Sequence, residues 1–494
     1  MKKVCFLIVF LFLSQVRGKA TDHHKDKEGS KYIGIVKTFA DSLLSLATDR
    51  YGTRKTAMWA SVINLNSLSV PIRNVQPTKG VRPHDRAVGG SNYYHDVMTM
   101  KAFDALSEIT GNPKYKEAVA AYSKDFLSFA QNPDTGLMGW GEHLYYDFYR
   151  DTVSISESKL FDQKYFFGYP HEFLAWTPPW ERLWSEDASR TQRAIEGVMW
   201  HFQGPDTKTY LFNRHANWNI TEHQKIVMPW IKHSVLFAYS FAFLYRQTGN
   251  ELWKKRAFDT SLLYWNLRDY ETDLVFNCFY HATEQDAGKL PDMGSSGLYA
   301  YWMYKTAELL EDENLKDTAK RVIQAYADYG YNEREGFFYS ELNLDGTPAK
   351  GADKANAWKI GYGSSSLFSY ARAAAYLASK EDGDAFVKIA INCEKQIPGS
   401  PLPEQFTAFN LGEAINFYMD LYDLTGKKYY LGEARKYVDT GIERFYKNGL
   451  FSRQTHDDYY EAKLGIGDLV TGILRLGIVD AGLAKKLNKP DFSY

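Results

Sequence analysis

The residues best suited to chemistry lie in three short polar segments of an otherwise aromatic stretch. These segments are Gly141-Glu142-His143, Pro170-His171-Glu172 and Phe212-Asn213-Arg214-His215. His143, Glu172 and His215 offer two imidazoles and one carboxylate, donor types that suit Zn, Mn, Fe or Ni, with water at the open positions. Arg214 adjoins one of these histidines, and a guanidinium can clamp a substrate carboxylate through two parallel hydrogen bonds. The segments therefore predict an enzyme for acidic sugars.

The spacing of these ligands is a weak signal by itself. Tens of residues separate His143 from Glu172 and Glu172 from His215, and such gaps match no short metal-binding motif. Any one of these histidines alone is more often a hydrogen-bonded structural residue than a ligand. Wide gaps are nevertheless natural when ligands come from the inner ends of successive helical hairpins, so the fold decides between the two interpretations.

Helical hairpins recur along the chain. An amphipathic stretch follows each of four turns that contain Gly, Asn or Asp, at residues 110–115, 248–253, 311–315 and 425–430. Most of these turns also follow a helical stretch, which is the pattern of two antiparallel helices joined by a short turn. Hairpins that cannot bury one face alone close into a ring or stack as a solenoid. We predict one all-α domain over residues 21–494, an (α/α)7 or (α/α)6 toroid, with an irregular N-terminal arm at residues 64–92.

The N-terminus has the pattern of an export signal. Two lysines precede the apolar run Val4–Leu13, which is too short to span a bilayer permanently. No lipobox cysteine follows the run, so we predict a signal peptide at residues 1–20, no membrane anchor, and a secreted or periplasmic protein. Cys278 and Cys393 remain after cleavage and allow one disulfide at most, so the core must supply the stability.

Composition points to a local rather than a global recognition of charge. The formal net charge is −1, so no overall field attracts nucleic acid or a membrane surface. Aromatic residues make up 16% of the chain, and Tyr and Trp rings suit stacking on sugars. We expect an acidic polysaccharide or oligosaccharide as the partner. The candidate substrate-binding residues are His171, Asn213, Trp218, His233 and, in the arm, Arg82 and Arg86.

A family resemblance adds to this reading. The run from His171-Glu172 through residues 193–197 to Asn213-Arg214-His215 resembles the family 2 polysaccharide lyases, which are pectate lyases with an (α/α)7 toroid and a divalent metal. The resemblance implies His143, Glu172 and His215 as ligands of Mn, Ca or Zn, and Arg214 as the base. More globally, the chain resembles exported alginate and glucuronan lyases of the Bacteroides type. Some of those use tyrosine and histidine without a metal, so the need for a metal stays open.

The chemistry implied by this resemblance is β-elimination. It removes the C5 proton of a uronate and expels the sugar linked through O4, and it requires the neighbouring carboxylate to be neutralised. A base must reach C5, and an acid can protonate O4. Arginine is an awkward base because its guanidinium stays charged at ordinary pH. In a second assignment, Arg214 is the carboxylate clamp and Tyr299, which follows a Gly/Ser turn, is the base. The candidate catalytic residues are therefore Arg214, His215 and Tyr299.

Three classes of function compete. A polyuronate lyase is the leading interpretation, with alginate as the first substrate, pectate as the second and glucuronan as the third. A hydrolase on a similar toroid, such as one that removes unsaturated uronyl groups, would need two suitably placed carboxylates. Asp147, Glu172 and Asp292 are available for that role, although no paired motif stands out. A non-catalytic sugar-binding protein would use the stacking aromatics without any dependence on Arg214 or His215.

Overall fold

Helices dominate the architecture. The computed structural model describes residues 23–72, 75–76, 78, 81–155, 169–204, 211–225, 227–278, 290–359, 366–381, 383–398 and 402–484, and the predicted signal peptide lies outside them. The described chain contains fourteen α-helices: α1 (His23–Ala47), α2 (Val97–Thr110), α3 (Lys114–Phe129), α4 (Trp180–Glu186), α5 (Ala188–Gly197), α6 (Ile231–Thr248), α7 (Glu251–Leu262), α8 (Met293–Leu310), α9 (Glu313–Gly330), α10 (Ser366–Lys380), α11 (Ala385–Glu394), α12 (Ala408–Thr425), α13 (Lys428–Phe445) and α14 (Ile466–Asp480).

The helices alternate between an inner ring and an outer layer. The even-numbered helices face the centre, the odd-numbered helices cover them, and α1 packs outside α14. Inner helix α8 buries residues around most of its circumference, whereas outer helix α9 buries one stripe, including Leu315, Val322 and Tyr326. Burial all round is typical of a helix inside a core, and a single apolar stripe is typical of a helix with one face in water.

The inner ring closes on itself. Each inner helix contacts the next through side-chain hydrogen bonds or ion pairs, an edge-to-face ring contact or close packing, and the last inner helix contacts the first. One contact for each neighbouring pair, in ring order from α2, is Asp104–Arg182, Ser240–Trp180, Tyr239–Trp302, Gly297–Tyr370, Arg372–Asp420, Gly412–Leu469 and Thr471–Met98. The described residues therefore form a ring of seven helix pairs, six of them hairpins and the seventh made of α14 and α1, and the predicted all-α toroid is confirmed.

The turns that marked the hairpins in the sequence act as expected. Gly249 ends α6 with φ +68°, a left-handed conformation that suits a residue without a Cβ atom, and its amide donates to the Tyr245 carbonyl. The side chain of Asn250 then accepts a hydrogen bond from Leu252 N at 3.0 Å and caps the start of α7. One short polar motif thus ends the inner helix and starts the outer one.

Short strands occupy the loops that lead from an outer helix to the next inner helix. They lie at one rim of the toroid, at the N-terminal ends of the inner helices, and they pair antiparallel as β1–β11, β2–β3–β4, β5–β6, β7–β8 and β9–β10. Their bounds are β1 (Val62–Asn64), β2 (Gly90–Ser91), β3 (Leu144–Asp147), β4 (Thr152–Ile155), β5 (Pro170–His171), β6 (Ala216–Asn217), β7 (Tyr331–Asn332), β8 (Phe337–Phe338), β9 (Tyr446–Lys447), β10 (Leu450–Phe451) and β11 (Tyr459–Glu461).

The N-terminal arm is held by two of these pairings. Val62 of β1 pairs with Glu461 of β11, and Gly90 of β2 pairs with Asp147 of β3. Cys278 and Cys393 are both buried and free, so the disulfide that the sequence allowed is not formed. Among the described helices, none is long and apolar enough to cross a membrane.

Candidate metal and substrate site

The three polar segments meet at the rim that carries the strands. The register of β5 and β6 places His171 opposite Ala216, so the residues next to them, Glu172 and His215, come face to face. His215 Nε2 lies 2.8 Å from Glu172 Oε2. A two-residue antiparallel pairing thus joins two segments that are far apart along the chain.

Gly141 brings the third segment into the same place. Its φ is +94°, and a Cβ atom built there would lie 1.8 Å from the Glu172 carbonyl oxygen, so only glycine allows this approach. The side chain of Asn92 fixes the loop by donating to the carbonyls of Gly141 at 2.7 Å and Leu144 at 3.0 Å. These contacts hold His143 and its neighbour Glu142 against Glu172.

Four side chains form what we call the ligand cluster: Glu142, His143, Glu172 and His215. All four are buried, and one nitrogen or carboxylate oxygen from each lies within 4.8 Å of the others. His143 Nε2 is 3.4 Å from Glu142 Oε2 and 3.6 Å from Glu172 Oε2. The structure therefore brings together the three predicted ligands and adds Glu142, which was identifiable only as the neighbour of His143.

The electrostatics of the ligand cluster suit a divalent cation. Burial, and then the nearby Glu172, raise the pKa of Glu142 well above its usual range. Burial opposes ionisation of Glu172 too, but Arg214 and His215 outweigh it and hold its pKa well below the ordinary value. Burial lowers the pKa of His215 to about 3, so its imidazole is neutral and can offer a lone pair. Two carboxylates and two imidazoles around one point are a donor set that Mn or Zn accepts.

Arg214 stands at the exposed edge of the ligand cluster. Its Nη1 is 2.8 Å from Glu172 Oε1 and 3.8 Å from Glu142 Oε2, and its guanidinium lies 5.2 Å from the centre of the Trp230 ring. The side chain is 19% exposed, whereas Glu172 is 1% exposed. Arg214 thus lies between the buried carboxylate of Glu172 and solvent.

The two arginines of the arm have different surroundings. Arg82 Nη2 is 2.9 Å from Glu142 Oε1, and 44% of its side chain is exposed, so it borders the ligand cluster from solvent. Arg86 instead places Nε and Nη2 on the two oxygens of Glu461, at 2.7 and 2.8 Å, and is buried. The predicted substrate role of Arg86 is therefore corrected, because its guanidinium is already fully engaged in an internal ion pair.

His233 is the other predicted binding residue that reaches the site. Its Nε2 lies 3.2 Å from Glu172 Oε1 and 3.1 Å from the Phe173 carbonyl, in the first turn of α6. Burial lowers the pKa of His233 to about 4, so the ring is neutral near pH 7. Both partners are acceptors, which places the ring proton on Nε2.

His171 and Asn213 are buried residues that support the site through hydrogen bonds. The Trp140 indole donates to His171 Nε2 at 3.0 Å, His171 Nδ1 meets His201 Nε2 at 2.8 Å, and His201 Nδ1 meets the Asn213 carbonyl at 2.9 Å. Because an indole only donates, this chain fixes the tautomers of both histidines. Asn213 Oδ1 accepts from His215 N at 3.0 Å. The structure therefore corrects their predicted role: both are buried and position the Arg214-His215 turn instead of facing substrate.

Two further predicted residues lie outside the ligand cluster. Tyr299 is fully buried, and its hydroxyl donates to the Ser261 carbonyl at 2.6 Å and accepts from Trp265 N at 3.1 Å. Burial raises the pKa of Tyr299 far above the usual value, which is the opposite of what a base requires. Trp218 donates to the Ala130 carbonyl at 3.3 Å and packs on Tyr169. Neither placement matches the catalytic or binding role predicted for it.

Three charged residues near the site carried little signal in the sequence. Asp85 lies behind His143, with 3.2 Å between Oδ1 and Nδ1. Lys232 in α6 and Lys463 before α14 are half-buried, and burial lowers the pKa of each while the carboxylates of the site oppose that shift. Lys463 comes from the far end of the chain, where no neighbouring motif points to chemistry. Only the closure of the ring brings it near Asp85 and Glu142.

A family comparison covers the segment that carries this site. Residues 69–252 match the family model described as periplasmic pectate lyase, and that range contains the whole ligand cluster together with Asp85 and Arg214. The predicted resemblance to pectate lyases is thereby confirmed.

Similar solved structures are far more distant in sequence. They include a cellobiose 2-epimerase from Bacillus thermoamylovorans, with 9% identity, TM-score 0.49 and coverage of 90% of this chain and 99% of the other. A family 76 α-mannanase from Bacteroides thetaiotaomicron has 9% identity, TM-score 0.48 and coverage of 93% and 100%. Nothing about activity follows from these two likenesses.

Proposed function

We propose that this protein is an exported polysaccharide lyase that cleaves a polyuronate of the pectate class by β-elimination. The observation that carries the proposal is the ligand cluster with Arg214 at its exposed edge, inside the segment that matches the periplasmic pectate lyase model. That match supports our choice of pectate ahead of alginate as the proposed substrate. The family description and the predicted signal at residues 1–20 support a periplasmic location.

The ligand cluster supplies the neutralising charge in this proposal. Glu142, His143, Glu172 and His215 would hold a divalent cation, and when bound that cation would neutralise the uronate carboxylate and make the C5 proton more acidic. The same carboxylate oxygens now contact Arg214 and Arg82, so the arginines mark the side from which substrate enters. Arg82 contacts Asp85 and Glu142, and because 44% of its side chain is exposed we propose that it also binds a uronate carboxylate.

Arg214 takes the C5 proton, as the resemblance implies. The C5–H bond breaks, its electron pair forms the C4–C5 double bond, and the C4–O4 bond breaks, with the leaving oxygen gaining a proton from water. Because a guanidinium holds its proton at ordinary pH, this role requires activity to rise toward alkaline pH. The Trp230 ring beneath Arg214 restricts the orientation of the guanidinium.

A substrate panel tests the function. The purified protein is incubated with polygalacturonate, alginate and glucuronan, and the absorbance of the new double bond conjugated to the carboxylate is followed. We expect the absorbance to appear with polygalacturonate, to vanish after chelation and to return with Mn²⁺. Reducing ends without the absorbance would indicate a hydrolase, and binding without either product would indicate a sugar-binding protein. Activity that survives chelation would remove the metal from the proposal.

A further inference from the structure

Asp85 contacts the ligand cluster from behind. Its side chain is fully buried, and its Oδ1 lies 3.2 Å from His143 Nδ1. The other nitrogen of the same ring, His143 Nε2, lies 3.4 Å from Glu142 and 3.6 Å from Glu172. The imidazole therefore stands between one carboxylate on its outer side and two on its inner side.

This arrangement selects one form of the ring. A carboxylate is an acceptor, so Asp85 favours the tautomer of His143 that carries its proton on Nδ1. The lone pair of Nε2 then faces Glu142 and Glu172, which is the direction that metal ligation needs. Without Asp85, the proton could equally occupy Nε2, where the inner carboxylates would attract it and block ligation.

Asp85 is itself fixed in place. Arg82 donates to both of its oxygens, Nε to Oδ2 at 2.8 Å and Nη2 to Oδ1 at 3.2 Å. The following residue, Arg86, is anchored on Glu461. The carboxylate is thus held in position by Arg82 before any ligand arrives.

We propose that Asp85 is a positioning residue that fixes the tautomer and orientation of His143 as a metal ligand. The inference rests on the proposed function only in requiring a divalent cation at the ligand cluster. A merely structural ion pair between Asp85 and Arg82 would affect stability and leave metal affinity unchanged. The two roles therefore differ in what they predict for metal binding.

Calorimetric titration of the metal-free protein with Mn²⁺ and with Zn²⁺ tests the proposal. Outer carboxylates behind a ligating histidine are typically worth about 10–100-fold in metal affinity, and we expect a loss of that size in Asp85→Asn. Asp85→Glu, which keeps the charge, should recover part of the loss. Asp457→Asn is the matched control, because Asp457, whose side chain is 8% exposed, is a partner of Arg453 in the neighbouring network and is in ionic contact with Arg453 rather than with the ligand cluster.

The outcomes separate this inference from the proposed function. If Asp85→Asn binds both ions as tightly as the wild type does, Asp85 is structural and the proposal fails. An equal loss in Asp457→Asn would also overturn it, because it would show a general effect of the arm. If the wild type binds neither ion, both the inference and the metal-dependent function fall. Weakened binding in Asp85→Asn together with an absence of lyase activity would sustain the inference and reject the function. Thermal unfolding of each metal-free variant checks that it is folded.

Discussion

Two buried groups of charges lie side by side at this rim, and they are built differently. In the first, Arg86 and Arg453 meet Glu461, with Arg453 also on Asp457, and every member is nearly inaccessible to solvent. In the second, the ligand cluster buries Glu142 and Glu172, while Arg82 and Arg214 stay 44% and 19% exposed. A group whose cationic side chains are buried stabilises the fold. A group whose cations face solvent can exchange them for a ligand, which is what a functional site requires.

Arg214→Ala should give the largest effect on activity. Loss of a general base typically lowers the rate by about 10²–10⁴-fold, and we expect a fall of that order in kcat on polygalacturonate. Metal affinity should stay equal or increase, because Glu172 loses a competing partner. Arg214→Lys should keep more activity than Arg214→Ala. Because an ammonium loses its proton more readily than a guanidinium, the rise of activity with pH should occur at lower pH in this variant. Unchanged kcat in Arg214→Ala would contradict the assigned role.

Glu461→Gln should give the largest effect on stability. Removing one partner from a buried ion pair typically costs about 3–5 kcal/mol, and here two arginines would lose their shared carboxylate. Urea unfolding of the metal-free protein measures this loss. Glu433→Gln is the control, because its ion pair with Lys436 is on the surface and should change the free energy of unfolding by less than about 0.5 kcal/mol. If the two changes lower the free energy of unfolding equally, the buried ion pairs of Glu461 do not stabilise the fold more than a surface ion pair does.

Glu142→Gln should change the free energy of unfolding in the direction opposite to Glu461→Gln. Because burial and Glu172 raise the pKa of Glu142, the folded state holds this proton more tightly than the unfolded state does. Its stabilising contribution is present at low pH and is lost as pH rises through the raised pKa. We expect the metal-free variant to be more stable than the wild type near pH 8, with a smaller difference near pH 5, while binding Mn²⁺ more weakly. The measurement is the free energy of unfolding of both proteins as a function of pH. Its difference at each pH removes the contribution of the histidines that both proteins share.

Tyr299→Phe should give the smallest effect. The change removes a buried hydrogen bond to the Ser261 carbonyl and should lower the free energy of unfolding by about 0.5–1.5 kcal/mol. Activity should remain within about twofold of the wild type, because the structure places this hydroxyl in the core. A loss of activity as large as that of Arg214→Ala would restore the tyrosine mechanism.

The sequence was sufficient for whatever depends on local pattern. The hairpin turns could be recognised in the sequence because a left-handed glycine and an Asn or Asp cap are neighbours in the chain, as at Gly249 and Asn250. His143, Glu172 and His215 were identifiable by residue type and family resemblance. Asp85 and Lys463 were not, because their contribution depends on ring closure.

Residue type also misled at five residues, which are Arg86, His171, Asn213, Trp218 and Tyr299. Arg86, His171 and Tyr299 have the chemistry of site residues, and only their partners show that each belongs to the frame. A side chain's environment is set by contacts between segments that lie far apart in the chain. No local pattern can therefore tell an engaged arginine from an available one.

The pairing of β1 with β11 has a consequence for how the protein matures. Strand β1 lies near the start of the toroid and β11 precedes its last helix, so this one of the two pairings that hold the arm can form only after the segment at residues 459–461 is in place. Such distant pairings form late, because the chain entropy lost in closing a long loop is recovered only at the end. A chain that ended before β11 would hold His143, Glu172 and Arg214 but would lack both the β1–β11 pairing and the Glu461 partner of Arg86.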